Sequence, residues 1–374
     1  MKKKEIYSKS ILKNILKDKG RPDFVLVGIA GVLILFGILI LASVSAPFAQ
    51  EKTGESYYFL RHQFLFGLIP GLILGFLAFK INLSFLKRQA PVLLLTNLIL
   101  MIMVFLPVIG SKSASAARWL NFGFFSFQPS EFLKLTFILY LAIWLANKKE
   151  SRQTFVAFLA VLGAVILLLF FQSDISTLGV ILTVAGLMYF SSNTPLWQIA
   201  SMGFIGIGVL FSLIKLAPYR VNRFLVFLNP DLDPMGIGYQ VRQALIAVGS
   251  GGIMGVGLGM SAQKLGFLPQ TISDSIFAVF SEETGFIGGF FLIFLFLLFL
   301  WRGFKIAKES QDKFSQLAAL GITSWIVLQT FVNIGAMIGI LPLTGIPLPF
   351  ISYGGSAMIA ELIGLGILLN ISKQ

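Results

Sequence analysis

Long apolar runs dominate this chain and decide most of what it can fold into. A run of about 17–25 apolar residues is long enough to cross a bilayer as a helix. The chain is 56% hydrophobic and 12% charged, which is more apolar surface than one soluble core can bury. The predicted fold class is therefore an all-α polytopic membrane protein with about ten transmembrane helices, at residues 24–45, 62–79, 90–109, 130–146, 154–171, 175–191, 196–215, 276–300, 315–340 and 353–370.

The basic residues are distributed unevenly between the predicted loops. With the N-terminus inside, the inner segments hold nineteen lysines and arginines, and the short outer loops hold four. Basic residues accumulate on the cytoplasmic side of membrane proteins, so both termini are predicted to be cytoplasmic and the net charge of +13 does not indicate nucleic-acid binding. Residues 1–23 are predicted to form a basic cytoplasmic segment on anionic lipid. Residues 24–374 then form a single ten-span domain with a large outer loop at 216–275.

The composition also limits the available chemistry. The chain has no cysteine and one histidine, His62. Disulfides, metal–thiolate sites and thiol catalysis are thereby excluded, and His62 is the only candidate for a histidine-based triad. The reactive groups that remain are carboxylates, lysines, arginines and hydroxyls.

The unusual polar residues fall on the predicted outer face. Arg118 and Trp119 precede the fourth span, in which Glu131 and Lys134 lie three residues apart and share a helical face. The two form either an ion pair at a helix end or, because Lys134 lies a full turn inside the apolar run, part of a wet cavity. Asp174, between spans five and six, is predicted to cap the sixth helix.

The large outer loop carries two further candidate features. Arg220 and Arg223 share a face if helical, and form either a fork suited to diphosphate or a solvated basic surface. The glycines at 249–259 are not followed by Gly-Lys-Ser/Thr, so they do not indicate a nucleotide loop. They indicate close packing of the backbone.

Three carboxylates lie where the glycine-rich segment meets the eighth span. An acid in or beside hydrocarbon is a functional-site hypothesis by default, because it needs a wet cavity or a partner. Asp274 is either the cap of that span or a general base. Glu282 lies about two turns below on the same face, and Glu283 is adjacent to it. A carboxylate at a cavity mouth near arginines and a lysine suits activation of a hydroxyl beside an anionic leaving group.

Several motifs resemble a known family across nearly the whole chain. They are Gln-Pro-Ser-Glu at 128–131 with Lys134, Gly-Tyr-Gln at 238–240, Leu-Pro at 268–269 leading to Asp274, Glu-Glu at 282–283, and Leu-Pro-Phe-Ile-Ser-Tyr-Gly-Gly-Ser at 348–356. Together they resemble the SEDS family (shape, elongation, division and sporulation), FtsW and RodA. The segment 257–264 is more similar to the division branch, FtsW. Many members carry Glu-x-His-Thr-Asp-Phe where this chain has Gln-Thr-Ile-Ser-Asp-Ser at 270–275.

The resemblance implies a ten-span fold and a peptidoglycan glycosyltransferase. Such an enzyme polymerises lipid II at the outer face of the bacterial cytoplasmic membrane, at the division septum, with a class B penicillin-binding protein and other divisome proteins. Asp274 matches the family's essential aspartate and is expected to be the general base. The expected substrate-binding residues are Arg61, Arg118, Trp119, Glu131, Lys134, Arg220 and Arg223.

The chemistry of diphosphate departure also indicates a divalent cation, Mg²⁺ or Mn²⁺, since hard cations bridge phosphate and carboxylate oxygens. The sequence has no dedicated cage for the ion and indicates no organic cofactor. Two other functions use the same features. A lipid II flippase or transporter would use the cavity without making bonds, and a non-catalytic divisome scaffold would leave Asp274 as a helix cap.

Overall fold

The computed structural model describes residues 20–107, 110–113, 116–123, 125–147, 152–192, 195–216 and 218–374. Most of the predicted basic segment 1–23 therefore lies outside the described residues. The helices in the described part are α1 (Phe24–Thr53), α2 (Tyr58–Lys80), α3 (Leu83–Met103), α4 (Pro129–Ala146), α5 (Arg152–Phe171), α6 (Ile175–Phe190), α7 (Leu196–Leu216), α8 (Pro218–Leu228), α9 (Ile237–Ser250), α10 (Ile276–Glu309), α11 (Lys313–Met337) and α12 (Gly355–Ile371).

Each of the ten predicted spans overlaps a helix, which confirms the predicted helical polytopic fold class, although the third span, predicted at 90–109, is the helix Leu83–Met103. Among the described residues, six helices are long and apolar enough to cross a membrane, namely α1, α2, α3, α4, α10 and α11. Shorter apolar helices lie within α5, α6 and α12, and α7 has 21 residues. Helices α8 and α9 lie within the predicted outer loop and are too short to span.

Polar caps begin several of these helices, as the sequence leads one to expect. The Asp23 carboxylate accepts a hydrogen bond from Leu26 N at 2.9 Å at the start of α1. Asp174 accepts from Thr177 N at 3.3 Å at the start of α6, which confirms its predicted capping role. A cap of this kind satisfies one of the amides that have no partner in the first turn of a helix.

Helix α12 packs against α2 at very short range because glycines line the contact. A β-carbon on Gly366 would lie 2.1 Å from the carbonyl oxygen of Gly75, and one on Gly75 would lie 2.6 Å from that of Leu362. Small residues of this kind allow helix backbones to approach closely within a membrane. Helices α4 and α11 lie at the centre of the bundle, where α4 contacts α3, α6, α11 and α12.

A small antiparallel sheet between α3 and α4 was not predicted from the sequence. Its strands are β1 (Gly110–Ser113), β2 (Ala116–Asn121) and β3 (Ser126–Phe127), in the order β1-β2-β3. The β2 sequence Ala-Ala-Arg-Trp-Leu-Asn contains no β-branched residue, so it lacks the usual strand signal. The pairing of Trp119 with Ser111 fixes the register of β2 on β1.

Single-cysteine variants will check the predicted orientation, because the chain has no native cysteine. Cysteines at residues 10 and 374 are expected to resist an impermeant thiol reagent in intact cells, whereas one at Met235, 91% exposed in the large loop, should react. Lys264 is unsuitable as an outer position because it is only 6% exposed. All three cysteines should react after permeabilisation. Labelling of residue 10 in intact cells would place the N-terminus outside and would contradict the predicted topology.

Candidate functional site

Two loops meet at the head of α10 and form the framework of the site. One precedes α10 and carries residues 268–275, and the other joins α11 to α12. Tyr353 N donates to Ile272 O at 2.9 Å, and Ser352 Oγ donates to Ser273 O at 2.5 Å. The same Ser352 Oγ accepts from Leu348 N at 2.8 Å. The bonds to Ile272 and Ser273 join segments about 80 residues apart and fix the backbone just before Asp274.

Asp274 lies at this junction and does not cap α10. The helix begins at Ile276 after Ser275, and the Asp274 carboxylate instead accepts from Ser273 Oγ at 3.0 Å. The capping interpretation of Asp274 is therefore wrong. The side chain is half-buried, and a β-carbon at Gly345 would lie 3.8 Å from its Oδ2 atom.

The electrostatic surroundings of Asp274 combine burial with one nearby cation. Burial raises the pKa of the Asp274 carboxyl above its ordinary value, because the charged form loses hydration. Hydrogen bonds from Ser273 and Gln240 and the charge of Arg223 act in the opposite direction on that pKa. Gln240 also donates to Ser275 Oγ at 3.1 Å. A raised carboxyl pKa is typical of a general base tuned by its surroundings.

The glycine-rich segment after α9 packs against a break in α10, which confirms its predicted close packing. Gly285 interrupts α10 with φ 68°, a conformation that favours glycine. Phe286 N donates to Gly252 O at 2.9 Å, and Val256 N donates to Glu282 O at 3.0 Å. A β-carbon at Gly255 would lie 2.2 Å from Glu283 O, so a larger residue would separate the loop from the helix.

Glu282 and Glu283 face the protein interior and hold this loop. Glu282 is 3% exposed, and its carboxylate accepts from Ala262 N at 3.2 Å and from the Ser261 hydroxyl. Glu283 forms a buried ion pair with Lys264 at 2.6 Å. Ser43 of α1 donates to Glu283 Oε1 at 2.9 Å. The sequence identified both acids, but their partners lie about 20 and 240 residues away.

The predicted ion pair between Glu131 and Lys134 is present and enclosed. Lys134 Nζ lies 2.7 Å from Glu131 Oε2, and the two side chains are 2% and 5% exposed. The ammonium also donates to Gln329 Oε1 at 2.8 Å and lies 5.4 Å from the centre of the Trp325 ring. Its surroundings are already filled by protein groups. This enclosure favours the ion-pair interpretation over the wet cavity, and the predicted substrate-binding role of Glu131 and Lys134 stays a prediction.

The other predicted substrate-binding residues are divided among three places. Arg61 forms an exposed ion pair with Glu55 at 3.1 Å, and the Arg118 guanidinium donates to the backbone oxygens of Gln172, at 3.2 Å, and Ser173. Arg118 thus braces the turn before α6, and Arg61 lies on the surface; their predicted substrate-binding roles stay predictions. Trp119 is partly exposed on β2.

The two arginines predicted as a diphosphate fork lie on α8, but only one side chain is described. Arg223 is exposed, and its guanidinium approaches Leu343 O at 3.5 Å, on the loop that also carries Gly345. The side chain of Arg220 lies outside the described residues, although its backbone belongs to α8. Among the predicted substrate ligands whose side chains are described, Arg223 is the one whose charge acts on Asp274.

Three buried polar residues of this region were missed by the sequence reasoning. They are Gln329 and Asn333 of α11 and Glu361 of α12, which are 0%, 1% and 2% exposed. The Glu361 carboxylate accepts from Phe350 N at 2.8 Å, and Phe350 has φ 63°, which is uncommon for a bulky residue. The sequence did contain a signal for these three residues, because each is a polar residue inside an apolar run.

A groove of about 680 Å³ lies against the loop that leads to Asp274. The end of α1, the start of α2 and the loop itself form its walls. The lining combines aromatic and charged or amide groups, including Phe48, Lys52, Phe59, Gln270 and Tyr353. A groove of this size and mixed lining suits an amphiphilic ligand.

The donor groups do not fit a dedicated cation cage. Among the described residues, the structure has no group of three or more histidine or acidic side chains that could hold one metal ion. The predicted Mg²⁺ or Mn²⁺ ion therefore stays a prediction.

Comparison with known proteins agrees with this architecture. The chain is 38% identical to stage V sporulation protein E of Bacillus subtilis, over 95% of this chain and 98% of the relative. It is 37% identical to the probable peptidoglycan glycosyltransferase FtsW of Geobacter metallireducens, over 96% of both.

Solved structures show the same fold. A structure of a peptidoglycan synthase complex that coordinates polymerization and crosslinking contains a chain with a TM-score of 0.77, 28% identity and coverage of 94% of this chain and 97% of that one. RodA of Thermus thermophilus matches with a TM-score of 0.69, 26% identity and coverage of 94% and 96%. The model of the FtsW, RodA and SpoVE family, described as cell cycle protein, matches residues 24–374. The chain belongs to this family of integral membrane proteins.

Proposed function

We propose that this chain is a peptidoglycan glycosyltransferase that polymerises lipid II at the outer face of the cytoplasmic membrane. The observation that carries the proposal is Asp274, a half-buried carboxylate beside Arg223 at the head of a membrane helix. Relatives of nearly the same length are named probable peptidoglycan glycosyltransferases. A base and a cation at one membrane surface are what this reaction requires.

The reaction forms a bond between the 4-hydroxyl oxygen of one sugar and the anomeric carbon of the next. The bond from that carbon to the lipid diphosphate breaks, and the diphosphate leaves with the electron pair. Asp274 accepts the hydroxyl proton as the new bond forms, which is general base catalysis. Arg223 faces the developing negative charge on the diphosphate, where a planar guanidinium can donate two hydrogen bonds to phosphate oxygens.

The groove beside residues 264–273 supports a lipid-linked substrate. Its aromatic groups suit apolar or ring surfaces, and its amide and hydroxyl groups suit a sugar or peptide. The outward faces of α1 and α2 carry exposed apolar side chains, such as Leu35, Leu39, Leu72 and Ile73. The lipid chain of the substrate would lie against such faces while its head group reaches the loop.

The names of the relatives support a proposal for the physiological setting. One matching chain belongs to a peptidoglycan synthase complex that coordinates polymerization and crosslinking. A class B penicillin-binding protein is accordingly the proposed partner. Division at the septum, with other divisome proteins, is the proposed role, because FtsW is the name of several relatives.

Purified protein and its penicillin-binding partner, incubated with lipid II, will test the proposal. Polymeric glycan should appear with the native chain and be absent without it. A preparation that binds lipid II but yields no polymer would refute the glycosyltransferase assignment. Movement of labelled lipid II across vesicles by that same preparation would then favour the flippase. An inactive protein that still assembles with its partner would favour the scaffold.

Arg223 is expected to contribute through both the diphosphate and Asp274. Arg223→Lys should lower kcat/KM about tenfold, because lysine offers a point charge in place of a bidentate donor. Arg223→Ala removes the donor altogether and should lower kcat/KM about 100-fold. The charge of Arg223 also lowers the pKa of Asp274. The acid limb of the pH–rate profile should therefore move to higher pH in Arg223→Ala.

The control is Arg242→Ala, which removes another exposed arginine, paired with Asp231, from α9 of the same outer region. Its kinetics should match those of the native chain. Unchanged kcat/KM and an unchanged acid limb in both Arg223 variants would assign Arg223 to the solvated surface.

A further inference from the structure

Two buried amides of α11 face the loops that form the site. Gln329 and Asn333 lie one helical turn apart and are 0% and 1% exposed. Burying an amide costs free energy unless its donors and acceptors find partners. The hydrogen-bond partners of these two amides indicate their structural role.

Asn333 holds both loops through a single atom. Its Nδ2 atom donates to the carbonyl oxygen of Asp274 at 2.8 Å and to that of Ile346 at 2.8 Å. Asp274 and Ile346 are 72 residues apart in the sequence and belong to the two different loops. Asn333 therefore fixes the backbone of Asp274 relative to the loop that carries Gly345, which borders the carboxylate.

Gln329 extends the same connection toward the centre of the membrane bundle. Its Nε2 atom donates to Pro347 O at 3.0 Å, next to the Ile346 carbonyl held by Asn333. Its Oε1 atom accepts from Lys134 Nζ at 2.8 Å and from Trp325 Nε1 at 2.9 Å. Gln329 is thus fixed on one side by the buried Glu131–Lys134 pair, and on the other side it holds the loop between α11 and α12.

We propose that Asn333 is a positioning residue for Asp274. Gln329 and the Glu131–Lys134 pair support this role, because they hold the loop between α11 and α12 that Asn333 also contacts. The proposal rests on the proposed glycosyltransferase function. Asn333 contacts the main chain of Asp274 and leaves the carboxylate free for the substrate hydroxyl. Its loss displaces the base without removing it.

Displacement of a base has a kinetic signature that differs from loss of a substrate ligand. A shift of about 1 Å in a reacting group can cost about 100-fold in rate, whereas substrate binding by other groups continues. The effect of an Asn333 variant should therefore fall on kcat, with KM for lipid II and lipid II binding nearly unchanged.

The test compares Asn333→Leu with Asn370→Leu in the full chain purified with its penicillin-binding partner. Asn370 is a matched control, because its Nδ2 atom also donates to two backbone carbonyls, those of Ala78 at 3.0 Å and Ile81 at 2.6 Å. It is buried as well, but it lies at the other end of α12 from the site. Rates are expressed per lipid II-binding site, so that misfolded protein does not count.

Asn333→Leu should lower kcat by about 10- to 100-fold with KM within about twofold, while Asn370→Leu keeps both. Asn333→Ser, which retains one hydroxyl donor, should lose less than Asn333→Leu. A kcat within twofold of the native value in Asn333→Leu would overturn the proposal. Equal losses in the Asn333 and Asn370 variants, or loss of lipid II binding in both Asn333 variants, would overturn it too. Absence of polymer with the native chain would instead refute the proposed function.

Discussion

Replacing Asp274 by asparagine is expected to lower the rate of lipid II polymerisation by about 100-fold or more, the usual scale of general base catalysis. Asparagine nearly preserves the shape of the side chain but cannot accept the hydroxyl proton. The hydrogen bonds that fix the surrounding loops involve the backbone of Ser273 and Asp274, and the substitution leaves them in place. The variant should therefore fold and bind lipid II normally while making almost no polymer.

The pH dependence of the native enzyme offers a second measurement on the same residue. As a base, Asp274 works in its ionised form, and burial raises its pKa. Polymerisation should therefore decline as the pH falls through a pKa that is higher than that of an ordinary aspartate, about 3.9. A profile that stays flat down to the pKa of an ordinary aspartate would contradict a buried base.

The matched control is Asp312→Asn, because Asp312 caps α11 by accepting from Phe314 N and Ser315 N. Asparagine caps helices about as well as aspartate, so this variant should polymerise lipid II at the native rate. A folded Asp274→Asn protein that does the same would end the catalytic assignment. Normal lipid II binding without polymer would separate a polymerase from a flippase.

Replacing Lys134 by methionine is expected to destabilise the protein by about 3–5 kcal/mol, because it leaves the Glu131 carboxylate buried without its ion partner. Lys134 is 2% exposed, and its ammonium contacts both Glu131 and Gln329. The loss should appear as a lower temperature of thermal unfolding in detergent. Activity should fall as well, because Gln329 holds the loop beside the site.

The double variant Glu131→Gln/Lys134→Met removes both charges and should recover much of that stability, since no unpaired charge stays buried. Arg61→Met breaks an exposed ion pair, whose side chains are 62% and 59% exposed, and should cost less than about 1 kcal/mol. A Lys134→Met protein as stable as Arg61→Met would show that water reaches the Glu131 carboxylate. The Glu131–Lys134 pair would then line a wet cavity, which is the second of the two interpretations that the sequence allows.

The sequence by itself determined the membrane class, the places of the helices at the ten predicted spans and the capping role of Asp174, and it singled out the segment at Asp274 as a hypothesis. These features are local, because an apolar run of sufficient length must span a bilayer and a polar residue before a helix can cap it. Motifs such as Leu-Pro at 268–269 and the run at 348–356 indicated the family for the same reason. Their residues are adjacent in the chain.

Only the tertiary structure decided the partners of those buried polar groups whose partners lie far away in the chain. Glu282 and Glu283 hold the glycine-rich loop, Lys134 is enclosed, and Asn333 bonds to a carbonyl 59 residues away. A buried charge or amide must find a partner to offset its lost hydration, but the sequence does not say which one. Because the partners lie on helices that meet only when the bundle packs, the division between site residues and supporting residues follows from that packing.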